Sequence, residues 1–445
     1  MKNKEISHFF NEEYTQQAQY INFSKIASVI SGSKVTQQKI LSTVMSENIS
    51  SWQKVEVISS MTALKTLYLG GSSNIDGVAT NLGSGYVGAN NVVLVETKGD
   101  FGGRLDTTAA ASRYIFMKKG LQFDHYFNKE DLNILPKYTF EGQEIEYQYF
   151  TYTLPMVLVN GTKGLGSGYS SDILPRSEED ITKYLIYNLE GKNKTNKPFQ
   201  NKPHFNGFKG VVKQSDAKNK WIIEGTFDRI NNTTIAITEV PIGETRKSYI
   251  KKLDALELNG VIKSYEDLCD PKKDIFLFKV KTEFAFSKNT DEEILKKLKL
   301  ITKKTENYTL NDEDNKIIVF KDVNEIFWYY YKFKLNTLSE RKKYLEEKMK
   351  QDIIIDISKY TFIEAIVNDK LIINKRKKND IVKDLNTFDK IVKRDNSFDY
   401  LLNMSIQSLT EERMKNLMKD IKSKNVELKK LQSKTLEKMW LEDLK

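Results

Sequence analysis

The chain has 445 residues, 70 basic against 60 acidic side chains, 39% apolar residues and one cysteine. At roughly 150 residues per domain that is about three domains with cores of their own; Cys269 alone excludes an internal disulfide, and His8, His125 and His204 are too scattered for a zinc motif. With no apolar run of bilayer length and acids early in MKNKEISHFFNEEY, a soluble protein of a reducing cytoplasm is expected, without membrane anchor or leader.

Residues 10–70 carry apolar positions at helical spacing, as in KVTQQKILSTVM, and predict a helical first domain. Ten of the 22 glycines follow between residues 70 and 120. The lysine- and asparagine-rich stretch GKNKTNKPFQNKPHF, 191–205, reads as a linker or exposed loop. Beyond it WIIEGTF, TTIAITEVPIG, IFLFKVKT and NKIIVFKD are short, β-branched and bounded by turn formers, so 205–325 reads as an α+β domain.

No glycine follows Gly260 and no proline follows Pro271, which predicts a helical C-terminal end. Two arms there show heptad-like steps: Tyr331, Leu335, Leu338, Leu345 and Met349 with Lys342 at a seam position, and Met414, Leu417, Ile421, Leu428 and Leu431 with Lys424 interrupting. An antiparallel pair joined by a compact helical cap over 353–407 is the simplest arrangement. The net charge of +10 is concentrated here, with 28 Lys/Arg against 21 Asp/Glu after residue 320. A lysine-rich helical face is more often solvated than bound to phosphate, so charge alone does not establish a nucleic-acid partner.

Several catalytic signatures are missing: no G-x-x-x-x-G-K-[ST] phosphate loop, no dinucleotide fingerprint and no G-x-S-x-G elbow. The segment GDFGGRLDTTAAASRYIF, 99–116, instead sets a permanent cation, Arg113, beside a phenol, Tyr114, after a glycine-rich loop. A phenol becomes a useful nucleophile when nearby cations stabilise its phenolate, and arginine also holds a phosphate under attack. On chemistry alone Tyr114 is one tyrosine among 22, most of which pack in cores.

The run VGANNVVLVETKGDFGGRLDTTAAASRYIF, 87–116, resembles the segment around the active-site tyrosine of type IIA DNA topoisomerases. GQEIEYQYFTYTLPMVLVNGTKGLGSGYSSDILP, 142–175, resembles the same family's run ending in N-G-x-x-G-[IL]-[GA]-x-G. FKGVV, IIEGTF and TTIAITEVPIG, then DKLIINKRKKNDIVKDL and SLTEERMKNLMKDIKSKNVELKKLQSKTLEKMWLEDL, continue it in order to the C-terminus. In layout the chain is similar to the breakage-reunion (gyrase A-like) subunit that T-even bacteriophages keep as a separate chain.

The resemblance implies an α+β, multidomain chain: a winged-helix DNA breakage-reunion domain over 1–190, a mixed α/β tower or saddle domain over 205–325, and a long antiparallel coiled coil with a helical C-gate over 326–445. It implies that Tyr114 forms a transient 5′-phosphotyrosyl link to double-stranded DNA while Arg113 stabilises the phosphate. Lys34, Lys39, Lys54 and Arg104 would contact DNA, and Leu165 would wedge between base pairs. Mg2+ and ATP would be held by an ATPase/TOPRIM large subunit. This chain would form a homodimer, meeting at the gate, inside a heterotetramer or larger complex.

Two motifs depart from the family. Its G-[LF]-K-P-x-x-R becomes GSKVTQQ, keeping Lys34 but replacing proline by Val35 and arginine by Gln38, with Lys39 the next cation. Its Y-H-H-G-[ED] becomes YLGGS, so Leu69 and Gly70 stand where a histidine is expected. These departures motivate an alternative, a catalytically weak or inactive relative with a structural or regulatory DNA-binding role.

Overall fold

The computed structural model describes residues 6–194, 197–199 and 202–445. Thr195, Asn196, Gln200 and Asn201 of the expected linker lie outside the described residues. The chain is mixed α+β and divides into two compact units, residues 1–334 with 441–445, and residues 335–440.

From Thr15 onward the first unit carries helices α1 (Thr15–Lys25), α2 (Val35–Ser46), α3 (Val55–Lys65) and α4 (Ser72–Gly83). Helix α2 buries Ile40, Leu41 and Val44. The Gln37 side chain accepts the Lys34 N–H at 2.9 Å, satisfying a donor at its start. Helix α4 opens after two glycines and buries Ile75, Ala79 and Leu82, a spacing that lines one helical face.

Strands β1 (Gln53–Lys54), β2 (Val95–Lys98) and β3 (Phe116–Lys119) form a small antiparallel sheet in the order β1-β3-β2. Its central Met117 is buried and opposes both Gln53 and Thr97, so the chain leaving 111–114 enters a paired strand at once. Residues 162–173 form a separate hairpin.

Each of the four expected strand segments contains a strand. A four-stranded antiparallel sheet comprises Thr226–Asn231, Thr234–Glu239, Phe278–Lys281 and Ser264–Asp267. Its buried Ile237, Phe278 and Val280 share a core with Tyr249 and Leu253 of the helix Arg246–Leu258.

Lys220–Glu224 belongs to a three-stranded sheet, where Trp221 Nε1 donates to Glu306 Oε2 at 2.7 Å. Glu306 also binds both terminal nitrogens of the fully buried Arg176, at 2.6 and 2.8 Å. This forked geometry holds an ion pair away from water.

The described part of 191–205 is irregular and mostly exposed, as expected, and is anchored at a few buried residues. Phe199 is buried, its ring stacked on Phe327 with centroids 6.3 Å apart, and Phe205 packs in a cluster with Trp221. The lysines and asparagines suggested a linker, but two phenylalanines provide enough apolar surface to anchor it.

In the second unit, most of the 45-residue helix Val323–Val367 runs antiparallel to Glu411–Ser433. The direction follows from two cross-helix contacts: Lys342 Nζ donates to the carbonyls of Gln432 and Lys434 at 2.9 and 2.7 Å, and Lys424 Nζ to Asp356 Oδ2 at 2.6 Å. The lysines that interrupt the two heptad patterns are therefore the polar links, Lys342 taking carbonyls that a helix end leaves unpaired. Phe362, Leu371, Ile381, Leu385, Phe398 and Leu401 form the core of a small helical cap. The long helix continues unbroken through 353, where the sequence suggested the cap would begin, because no glycine or proline stops it before Val367.

Candidate active site and nucleic-acid interface

Tyr114 ends a tight turn whose N–H donates to Ala111 O at 2.8 Å. The next residue, Ile115, is buried, and its carbonyl accepts the Val55 N–H at 3.0 Å. Ile115 thus pins the turn to the start of α3 while Tyr114 is 69% exposed and Arg113 is exposed beside it. Such a phenol reaches solvent from a rigid base, the geometry a nucleophile for a large substrate requires. Lys54, also exposed, lies opposite Phe116 in the β1–β3 register, close in the fold to the turn.

The preceding glycine-rich loop faces inward. Gly102 has φ +83°, and a Cβ there would approach Thr107 O to 2.7 Å. The N–H groups of Arg104 and Leu105 donate to the Asp274 carboxylate at 2.7 and 2.9 Å. The resemblance implied a DNA contact for Arg104; in the structure its side chain is only 5% exposed. The guanidinium donates to Glu244 O, to Val240 O at 2.8 Å and to Pro241 O at 3.1 Å, pairs with Glu239 Oε1 at 3.3 Å and lies 5.0 Å over the Phe276 ring. Burial pushes the guanidinium pKa down and the Glu239 carboxyl up, so the pair depends on this surrounding set of acceptors.

Lys39 is engaged in the same way. Its ammonium is bound to Glu146 and donates to Thr66 O at 3.2 Å, with 13% of the side chain exposed. A lysine so engaged offers little to a phosphate. Gln38 is buried, its Nε2 donating to Tyr147 O at 3.1 Å, so the position that carries arginine in the family pattern points into the protein here. Leu69, at the position of the family histidine, is 93% exposed, and Gly70 is exposed beside it.

Lys34 and Leu165 come together through the hairpin. Lys34 Nζ donates to Lys163 O at 2.5 Å; burial first, and the Lys25 charge second, hold its pKa below the usual lysine value. Leu165 opposes Ser170 at the end of the paired strands and is 73% exposed. Asn22 of α1 grips the loop beyond it: its Oδ1 accepts the Ser167 N–H at 2.7 Å and its Nδ2 donates to Ser167 O at 3.2 Å. A Cβ at Gly166 would lie 2.1 Å from that Oδ1, so a side chain there would displace the Asn22 amide from this grip. An apolar side chain held outward on a braced hairpin can enter a stack of bases.

Asn22, Asp274 and the Asp76–Ser112 contact described below carried no signal in the sequence, since each works through residues distant along the chain. Among the described residues no group of three His, Cys, Asp or Glu side chains could hold a metal ion. Among them, too, no helix is long and apolar enough to cross a membrane.

Residues 25–445 match the family model for the A-type chain of DNA gyrase/topoisomerase IV. The chain is 31% identical over 492 residues to DNA topoisomerase 2 of Plasmodium falciparum, a match covering 100% of this chain and 34% of that protein. It is 28% identical over 349 residues to the DNA topoisomerase medium subunit of Enterobacteria phage T4, covering 76% of this chain and 74% of that subunit. The solved DNA-binding, cleavage and re-ligation domain of Plasmodium falciparum topoisomerase II matches with a TM-score of 0.86 at 31% identity, over 98% of this chain and 63% of that one. The chain spans about a third of the length of the Plasmodium relative.

Proposed function

The chain belongs to the family of DNA gyrase/topoisomerase IV A-type subunits, and from that premise we propose that it is the DNA cleavage and religation subunit of an ATP-dependent type IIA topoisomerase. The observation that carries this reading is the exposed Arg113-Tyr114 pair on a turn fastened by the buried Ile115.

Tyr114 Oη attacks a backbone phosphorus; the O–P bond forms as the P–O3′ bond breaks, the phenol gives up its proton, and the leaving 3′ oxygen takes one up. The product is a 5′-phosphotyrosyl ester and a free 3′-hydroxyl, and the reverse attack reseals the strand without another energy source. Arg113 binds the non-bridging oxygens as charge builds on them. A second copy cuts the opposite strand, opening a gate for another duplex.

Lys34 and Lys54 contribute charge to the DNA path, and Leu165 kinks the duplex. Lys39 and Arg104 leave the DNA-contact set and act in the scaffold. Magnesium and ATP are supplied from an ATPase/TOPRIM partner subunit, within a cytoplasmic assembly built on a dimer of this chain. The breakage-reunion, tower and gate domains occupy 1–190, 205–325 and 326–445.

The decisive experiment mixes the purified chain and its partner with duplex DNA and magnesium, stops the reaction with detergent and assays protein on the DNA ends. A covalent adduct that disappears in Tyr114→Phe is the expected result. No adduct from the parent chain would favour instead a structural DNA-binding role, the reading motivated by the inward Gln38 and the exposed Leu69.

A further inference from the structure

Two side chains meet beneath the nucleophile turn. Ser112 Oγ donates to Asp76 Oδ2 at 2.9 Å, joining the turn to the middle of α4. The Ser112 carbonyl accepts the Glu56 N–H at 3.4 Å, and the Val55 N–H reaches Ile115 O at 3.0 Å. The backbone therefore fastens the turn to α3, while this one side-chain bond fastens it to α4. A hydrogen bond to an ionised acceptor is about twice as strong as a neutral one. Asp76 Oδ1 is buried and has no partner among the described residues, so the hydroxyl of Ser112 is the contact that holds the carboxylate.

We propose that Asp76 is a positioning residue for strand cleavage: through Ser112 it fixes the 111–114 turn and so aims Tyr114. The inference rests on the reading of Tyr114 as the nucleophile. It predicts that either half of the contact can be removed with similar cost to the chemical step and little cost to DNA binding, because neither side chain itself touches the phosphate.

The test uses the full chain with its partner subunit, magnesium and a 3′-labelled duplex. It measures the single-turnover rate of adduct formation at saturating DNA, and Kd by fluorescence anisotropy. Asp76→Ala and Ser112→Ala are each expected to slow adduct formation by about tenfold or more, the scale on which small misplacements act, with Kd within about twofold. The double variant should be no slower than the slower single, as for residues acting through one contact. Asp76→Asn should restore the rate to within about threefold of the parent, because its amide oxygen still accepts the hydroxyl.

Losses that multiply in the double variant, or a parental rate in Asp76→Ala, would overturn the proposal. An Asp76→Asn as slow as Asp76→Ala would also overturn it, by showing that the charge itself acts. If Asp76→Ala does not fold, Ser112→Ala and Asp76→Asn carry the same test. A parent chain that forms no adduct would overturn the reading of Tyr114 and the positioning role with it, a result distinct from slow variants of an active parent.

Discussion

The two ends of the 99–116 segment each carry an arginine, and the fold uses them in opposite ways. At the glycine-rich end Arg104 is drawn inside and engaged by carbonyls, a carboxylate and an aromatic face. At the other end Arg113 and Tyr114 are exposed, while the backbone, Ser112 and Ile115 are anchored. The first end is a fastening and the second a tool. The difference teaches that a cation in a resembling motif is a DNA contact only if the neighbouring chain leaves its charge unspent.

The sharpest way to break this contrast is at the phenol. Tyr114→Phe should abolish the covalent adduct while the melting temperature and DNA affinity stay near parental; an adduct that persists would reassign the nucleophile. Next in size, Arg104→Ala should lower stability by about 3 kcal/mol, since it leaves Glu239 buried without its partner. Urea unfolding checks this, and the salt dependence of DNA binding should not change. A steeply altered salt slope without destabilisation would return Arg104 to the DNA surface.

Leu165→Ala should reduce DNA bending, read by energy transfer between labelled duplex ends, and slow cleavage by about tenfold. Stability should move by less than about 0.5 kcal/mol, as for most exposed positions. The smallest effect compares two lysines. Lys34→Ala should reduce the slope of log K against log salt by about 1, the signature of one lost phosphate contact, whereas Lys39→Ala should leave the slope unchanged and cost stability instead. Equal slopes for the two variants would erase the distinction drawn between them.

Much of the architecture was legible in the sequence. Alternating β-branched runs marked the strands at 220–239 and 278–281, and the absence of glycine and proline marked the long helices. The heptad steps even located the antiparallel arms, though Lys342 and Lys424 read as interruptions until their partners, helix-end carbonyls and Asp356, became visible. The candidate site was less legible. Residue type showed that Lys34, Lys39, Lys54, Arg104 and Arg113 are cations, but not which of them has an acid or a carbonyl within reach. Glu146, which engages Lys39, and Asp274, which holds the backbone of Arg104, are far away along the chain.

By itself the sequence determined the strands beyond residue 205, the long C-terminal helices, the family and the segment that holds the tyrosine, because periodicity, breakers and motif spacing are local properties. Only the tertiary structure decided which charged side chains face solvent and which are consumed inside. That decision depends on burial and on partners brought together by folding, and a change of surroundings reverses what a guanidinium or an ammonium can do. Arg104 and Arg113 share one segment and one chemistry, and their surroundings alone separate them.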